Sequence, residues 1–270
     1  MNDPFEYCEE WFGNRGAKPF VREHKGVVAL HFHLFQVQSE MYKDAPDILA
    51  LRYTRTMMDF RHFNPQPLHI GMIGLGGGSM QKHCYANFPE AIISVAEINP
   101  GVIALRDYFY IPDDDDRFHI YCEDGADFVQ RNESQFDVLL VDGFDNKGQP
   151  PQLCSQRFYS DCFRSLTARG ILVVNACDDR AVIPRIQRVF GNEVLVVDED
   201  RTENIIVFAG KGDILCATEI DGEPHIGHPD PYQGLADDET LNANESLLTQ
   251  EVGGHHTMKE ITDAITAELT

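Results

Sequence analysis

Three acids stand where runs of apolar residues stop. Glu97 closes "AIISVAE" (91–97), Asp124 follows "FHIYC" (118–122), and Asp142 follows "FDVLLV" (136–141), with a further carboxylate at Asp145. A carboxylate at such a place can accept hydrogen bonds from ribose hydroxyls or from an exocyclic amine. The pair Asp142 and Asp145 suggests different work. Two carboxylates can attract an ammonium group, orient it and take its proton. Nearby negative charge raises an amine's pKa and holds it protonated, whereas desolvation lowers it. An amine attacks only when neutral, so one acid must be placed to receive the proton as attack begins. A turn in which Asp145 caps local backbone in the Asx manner gives the same residue a purely structural use.

A glycine loop precedes these acids in the chain. "IGLGGGSM" (73–80) ends the first apolar strand of the series and opens a helix. Gly74, Gly76 and Gly78 let the backbone turn sharply and let a nucleotide approach without a Cβ in the way, and the helix start offers unpaired N–H groups. A tight strand-to-helix turn would need the same glycines. Glu97 follows Gly74 by 23 residues, the spacing of a ribose-binding acid. Glu97 and Asp124 taken singly also read as loop or helix-capping acids. Together with the loop they place three consecutive strand ends around one nucleoside. A nicotinamide-type G-x-G-x-x-G/A fails at Ser79, and a Walker lysine is missing. G-x-G-x-G followed by an acid after the second strand is the arrangement of S-adenosylmethionine-type transferases.

Elements must position these groups. Residues 1–66 read as a β-rich N-terminal module, with strands in "VVALHFHLFQVQ" (27–38) and a helix over "PDILALRYTRTMMDF" (46–60). Residues 67–210 alternate strands and helices, including a helix over 100–109 and one over 180–190 interrupted by Pro184. Continuous β-branched runs between helices indicate parallel strands buried on both faces. The expected fold is α/β, a Rossmann-like, methyltransferase-type doubly wound sheet. Residues 211–270 read as an acidic, poorly ordered tail with one helical stretch in "HTMKEITDAITAEL".

Composition narrows the partners. Acids outnumber bases 44 to 22, for a formal charge of −22. That disfavours nucleic acid, which needs clustered Lys and Arg, and suits a small cationic substrate or plain solubility. No run of about 18 apolar residues offers a membrane span, and the N-terminus lacks a secretory pattern, so the cytoplasm is expected. Seven cysteines at 8, 84, 122, 154, 162, 177 and 216, an odd number without C-x-x-C, read as reduced thiols. His31 and His33 share a strand face but lack a third ligand, so no metal is expected.

The run from Ile73 to Ala176 resembles the spermidine/spermine synthase family of aminopropyltransferases. "GLGGGSM", "AEINP", "EDGADF" and "LLVDGFDNKGQPPQLCSQRFY" carry the resemblance, and "QVQSEMYKDAPDILALRYTRTM" extends it upstream. The resemblance implies a β-rich module beside a Rossmann-like domain, and a homodimer. It implies transfer of an aminopropyl group from decarboxylated S-adenosylmethionine to a diamine such as putrescine. By matching position, Glu97 would bind ribose and Asp124 the adenine amino group. Asp142 would be the proton acceptor and Asp145 an amine ligand. Tyr53 would line the substrate pocket, and Gln38 would contact the donor. The chain departs from the family pattern at Gly77, which replaces an acid that grips the donor's amino group. It departs again at Arg55, which replaces an amine-binding Glu, and at Asn146, which replaces a Pro. These departures set two other readings beside the first: a methyltransferase using intact S-adenosylmethionine, and a ligand-binding homologue without turnover.

Overall fold

The computed structural model describes residues 18–33, 36–145, 148–177, 179–198 and 204–215. The acidic stretch beyond residue 215, with the helix expected in it, lies outside them. Two sheets organise the described residues. The first is antiparallel and contains β1 (Phe20–His24), β2 (Val27–His33) and β3 (Gln36–Tyr42) in that order. Alternation along β3 sends Ser39 and Met41 inward and leaves Gln38 and Glu40 only partly covered. His31 is a packed side chain, 6% exposed and stacked on Phe20 with ring centroids 5.3 Å apart.

The second sheet has seven strands: β4 (His69–Ile73), β5 (Ile92–Glu97), β6 (Phe118–Cys122), β7 (Phe136–Val141), β8 (Leu166–Asn175), β9 (Val194–Asp198) and β10 (Ile205–Gly210). Their spatial order is β6-β5-β4-β7-β8-β10-β9. The strands β6 to β8 are mutually parallel, as the β-branched runs lead one to expect. β10 is the exception, pairing antiparallel with both β8 and β9. The connection from β9 to β10 is too short for a crossover helix, and a short connection between neighbouring strands makes a hairpin.

The apolar strands are covered on both faces. Ile70, Met72, Val138, Leu140, Ile171 and Val173 join one core, whereas Ile73, Leu139, Val141, Leu172 and Val174 join the other. Period-two alternation thus divides each strand between two hydrophobic layers. The first layer is closed by α1 (Arg52–Met57), α2 (Ser79–Asn87) and α3 (Pro100–Ile103), the second by α4 (Gly125–Arg131), α5 (Gln156–Ser165) and α6 (Ile183–Phe190). Chain order reverses between β4 and β7, which makes the carboxyl end of that pair the switch point where open α/β sheets bind ligands.

Three helices differ from the sequence expectation. The helix expected over 46–60 is only α1, followed by a 3₁₀ turn at Met58–His62. Leu51 before it is extended and no side chain caps it, so the start is not secured further upstream. The helix expected over 100–109 stops at Ile103 and resumes as a 3₁₀ turn at Arg106–Phe109, ending on Tyr110 with φ of +52°. Pro184 does not interrupt α6 but sits in its first turn, where a missing N–H costs no intrahelical bond.

Candidate active site

Strand register lines up the candidate residues. Ile73 pairs with Ala96 on one side and with Val141 on the other, while Val141 pairs with Val174 and Glu97 with Cys122. One residue past the Ile73, Ala96, Val141 and Val174 rungs, therefore, Glu97, Gly74, Asp142 and Asn175 form a row along the carboxyl edge. Gly74 is the centre of the row. Its φ is +95°, and a Cβ built on it would lie 2.3 Å from the Asp142 carbonyl oxygen. The backbone of the acid presses on the glycine loop, and only glycine leaves room. Gln81 from α2 fixes the same loop by donating to the Gly74 carbonyl at 2.8 Å. Gly76 and Gly78 also adopt positive φ, +53° and +66°, and α2 starts without a side-chain cap.

Glu97 is 8% exposed and organises the loop. Its oxygens accept from the Leu75 N–H at 2.9 Å and the Asn99 N–H at 2.7 Å. Burial raises its carboxyl above the usual carboxylate range, and bonds from the Asn99, Leu75, Ile98 and Gly76 amides oppose the rise. Asp124 is the N-cap of α4, accepting from Ala126 N–H at 2.8 Å, and its other oxygen accepts from Gln152 Nε2 at 3.1 Å. The capping use and the position at a strand end coexist in one residue. Gln152 comes from the segment after β7, so that segment is tied to Asp124 at one point and, through the Asp142 N–H, to the Ile73 carbonyl at another.

Asp142 leaves β7 on the same face as Leu140 and meets two donors. Tyr53 on α1 donates its hydroxyl to Oδ2 at 3.0 Å, and Asn175 at the end of β8 donates Nδ2 to Oδ1 at 2.9 Å. Burial pushes the Asp142 carboxyl above the usual range, and these two bonds pull against it. The Tyr53 hydroxyl is pushed well above the usual phenol range by burial first and by the Asp142 charge second, so it stays protonated as a donor. Tyr53 is thus joined directly to Asp142, although 89 residues separate them. Asp145 is exposed, on a turn that its backbone closes onto Gly148 at 2.9 Å. Gln38 is partly covered on β3.

Two of the three departures noted in the sequence acquire physical explanations. Gly77 is buried, and a Cβ there would lie 2.7 Å from Ser39 Oγ and 2.8 Å from the Phe109 ring. Ser39 and Phe109 fill the space an acidic side chain would need. Arg55 directs Nε to the Leu49 carbonyl at 2.8 Å and Nη2 to the Ala50 carbonyl at 3.4 Å, securing the turn before α1. Asn146 lies outside the described residues. Asn175, Gln152 and Gln81 were not singled out from the sequence. A polar residue ending the apolar run "ILVVN" was the available signal for Asn175. Among the described residues, no group of three His, Cys, Asp or Glu side chains could hold a metal ion.

A seven-stranded, mostly parallel sheet with a glycine loop at its switch point and acids at successive strand ends defines a Rossmann-like protein of the S-adenosylmethionine-methyltransferase type. Solved structures of that fold resemble it. They include a spermidine synthase in complex with the transition-state analogue AdoDATO (TM-score 0.57, 21% identity, 72% of this chain and 70% of that one). They also include human methyltransferase-like protein 13 in complex with SAH (TM-score 0.55, 22% identity, 73% of this chain and 90% of that one). Residues 53–184 match the spermine/spermidine synthase domain. A polyamine aminopropyltransferase of Chromobacterium violaceum is 37% identical over 194 residues, 70% of this chain and 74% of that protein. The chain belongs to the spermine/spermidine synthase family.

Proposed function

We propose that the chain is a polyamine aminopropyltransferase, moving an aminopropyl group from decarboxylated S-adenosylmethionine to a diamine such as putrescine. The single observation that carries this reading is the environment of Asp142. A carboxylate with a raised pKa, held by two neutral donors and pressed against the glycine loop, suits a proton acceptor beside a bound nucleoside. Relatives named polyamine aminopropyltransferase support the same transfer. The nucleoside would lie along the loop, with Glu97 and Asp124 at its ribose and adenine. Glu97 already spends both oxygens on backbone N–H groups, so ribose hydroxyls would share its remaining lone pairs. Tyr53 lines the acceptor side, Asp145 attracts the far ammonium group, and Gln38 approaches the donor from the N-terminal module.

In the reaction the amine nitrogen attacks the carbon next to the sulfonium. The new C–N bond forms as the C–S bond breaks, and its electron pair goes to sulfur, releasing methylthioadenosine. The proton lost by the amine goes to Asp142. Orientation of the two substrates and this proton transfer supply the catalysis. Asp142→Asn keeps the bonding shape of the residue but removes the acceptor. It should lower turnover by about 10²–10⁴-fold, while the donor still raises the melting temperature of the variant. Loss of donor binding together with turnover would assign Asp142 to binding instead.

The enclosed Gly77 favours one competing reading. With no acid at that place, intact S-adenosylmethionine, which keeps its carboxylate, becomes an acceptable donor, and methyl transfer its reaction. Incubation with each donor and a panel of diamines decides: methylthioadenosine marks aminopropyl transfer, S-adenosylhomocysteine marks methyl transfer, and stabilisation by ligand without product marks a binding protein. A homodimer, a cytoplasmic location and a division into residues 1–66, 67–210 and 211–270 complete the proposal.

A further inference from the structure

We propose that Asn175 is the positioning residue of this site, clamping the Asp142 carboxylate in one orientation and favouring its charged form. The inference rests on the aminopropyl-transfer reading and adds to it a residue and a reason for its side chain. Asn175 is 3% exposed and stands beside Asp142 because β7 and β8 are paired in parallel, with Leu140 opposite Val173 and Val141 opposite Val174. Continued by one residue, that register sets Asp142 and Asn175 side by side on the same face of the sheet.

The amide is not left to choose its orientation. Asn175 Oδ1 accepts the Cys177 N–H at 2.9 Å, and the chain turns away after the strand at Cys177, which holds the left-handed conformation, φ +49°. With Oδ1 committed to that donor, Nδ2 is the group presented to Asp142 Oδ1. The clamp therefore delivers an N–H, never a carbonyl, to the carboxylate. Tyr53 holds the other oxygen from α1, so both oxygens are fixed and their remaining lone pairs are directed by the fold. Among the described residues, the ionisable groups that act on the pair are Tyr53 from α1 and Cys177 from the loop after β8, the latter acting through Tyr53. A neutral donor is the chemistry required here. A cation would hold the carboxylate charged but make it a poor proton acceptor. An anion would keep it protonated and unable to accept at all.

Two substitutions separate the parts of the clamp. Asn175→Asp keeps an oxygen for the Cys177 N–H and replaces only the donor, with a like charge beside Asp142. Asn175→Leu removes both bonds at nearly constant volume. The readouts are the pH profile of turnover and the carboxyl-carbon NMR titration of Asp142 in donor-free protein, its signal assigned by its loss in Asp142→Asn. In Asn175→Asp the acid limb and the Asp142 titration should both move up by about one pH unit or more, with turnover on the acid limb down about tenfold or more and recovering as pH rises. Asn175→Leu should move them in the same direction. A purely structural residue would lower the melting temperature and leave the titration in place; an Asp142 titration unmoved in either folded variant overturns the proposal. Failure of the wild-type protein to release methylthioadenosine would overturn the functional reading instead, and the titration would still decide the role of Asn175.

Discussion

Asp142 sits between opposed influences, and its chemistry follows from their balance. Burial favours the neutral acid, whereas the hydroxyl of Tyr53 and the amide of Asn175 favour the carboxylate. The net rise means that the acceptor is fully charged only above the ordinary carboxylate range, so turnover should climb as pH rises through its pKa. Removing one donor sharpens the prediction. A hydrogen bond to a charged group contributes about 1.5–3 kcal/mol, so Tyr53→Phe should raise the Asp142 pKa further. Turnover on the acid limb, below that pKa, should fall about tenfold and recover as pH rises. A profile displaced toward acid, or unchanged, would remove Tyr53 from the acceptor's environment. The sequence exposed Asp142 as an acid that ends an apolar run and Tyr53 through family likeness, but not the bond between them. Their separation of 89 residues is closed only when α1 packs against β8 and β10 and its Tyr53 reaches the residue after β7.

At the scale of elements, the glycine loop is a joint rather than a passive turn. Ile73 accepts the Asp142 N–H at 2.9 Å, Gly74 touches the Asp142 carbonyl, and Glu97 ties Leu75 to the end of β5. Donor side and acceptor side of the site therefore share one piece of backbone. Gly74→Ala tests the joint. A Cβ 2.3 Å from a carbonyl oxygen, on a residue with φ of +95°, must displace either the loop or Asp142. The positive φ alone costs about 1–3 kcal/mol for a residue with a side chain, so the variant should lose at least that much stability in a denaturant melt, and turnover with it. Full stability and activity would show that the loop relaxes independently of β7. Strand positions were legible in the sequence because apolar runs bounded by Gly, Pro and Asp are strong signals. Helix lengths were less so: α1 and α3 are short because each gives way to a 3₁₀ turn, a change that apolar periodicity does not mark.

For the whole molecule, charge is the long-range property. The chain carries a formal charge of −22, and its site is proposed to take a cationic amine. Such a field raises the encounter rate and is screened over about 8–10 Å at physiological ionic strength. Raising salt should therefore lower kcat/KM for the diamine while leaving kcat nearly constant, as measured by initial rates in sodium chloride. Equal salt dependence of both parameters would place the effect in the chemistry or in stability instead of in approach. No described helix is long and apolar enough to cross a membrane.

The sequence by itself determined the sheet's core, the glycine loop and the acids at the strand ends. Each is a local signal: hydrophobic period, missing side chain, or a polar residue that stops an apolar run. Tertiary structure decided what those residues do to one another. Strand pairing set Asn175 beside Asp142, and packing of Phe109 and Ser39 closed the space at Gly77. Arg55 illustrates the same division. Its charge was visible in the sequence, but only the fold shows its guanidinium bonding the carbonyls of Leu49 and Ala50. Register and packing join residues far apart in the chain, and no local pattern encodes which polar groups will meet across two strands.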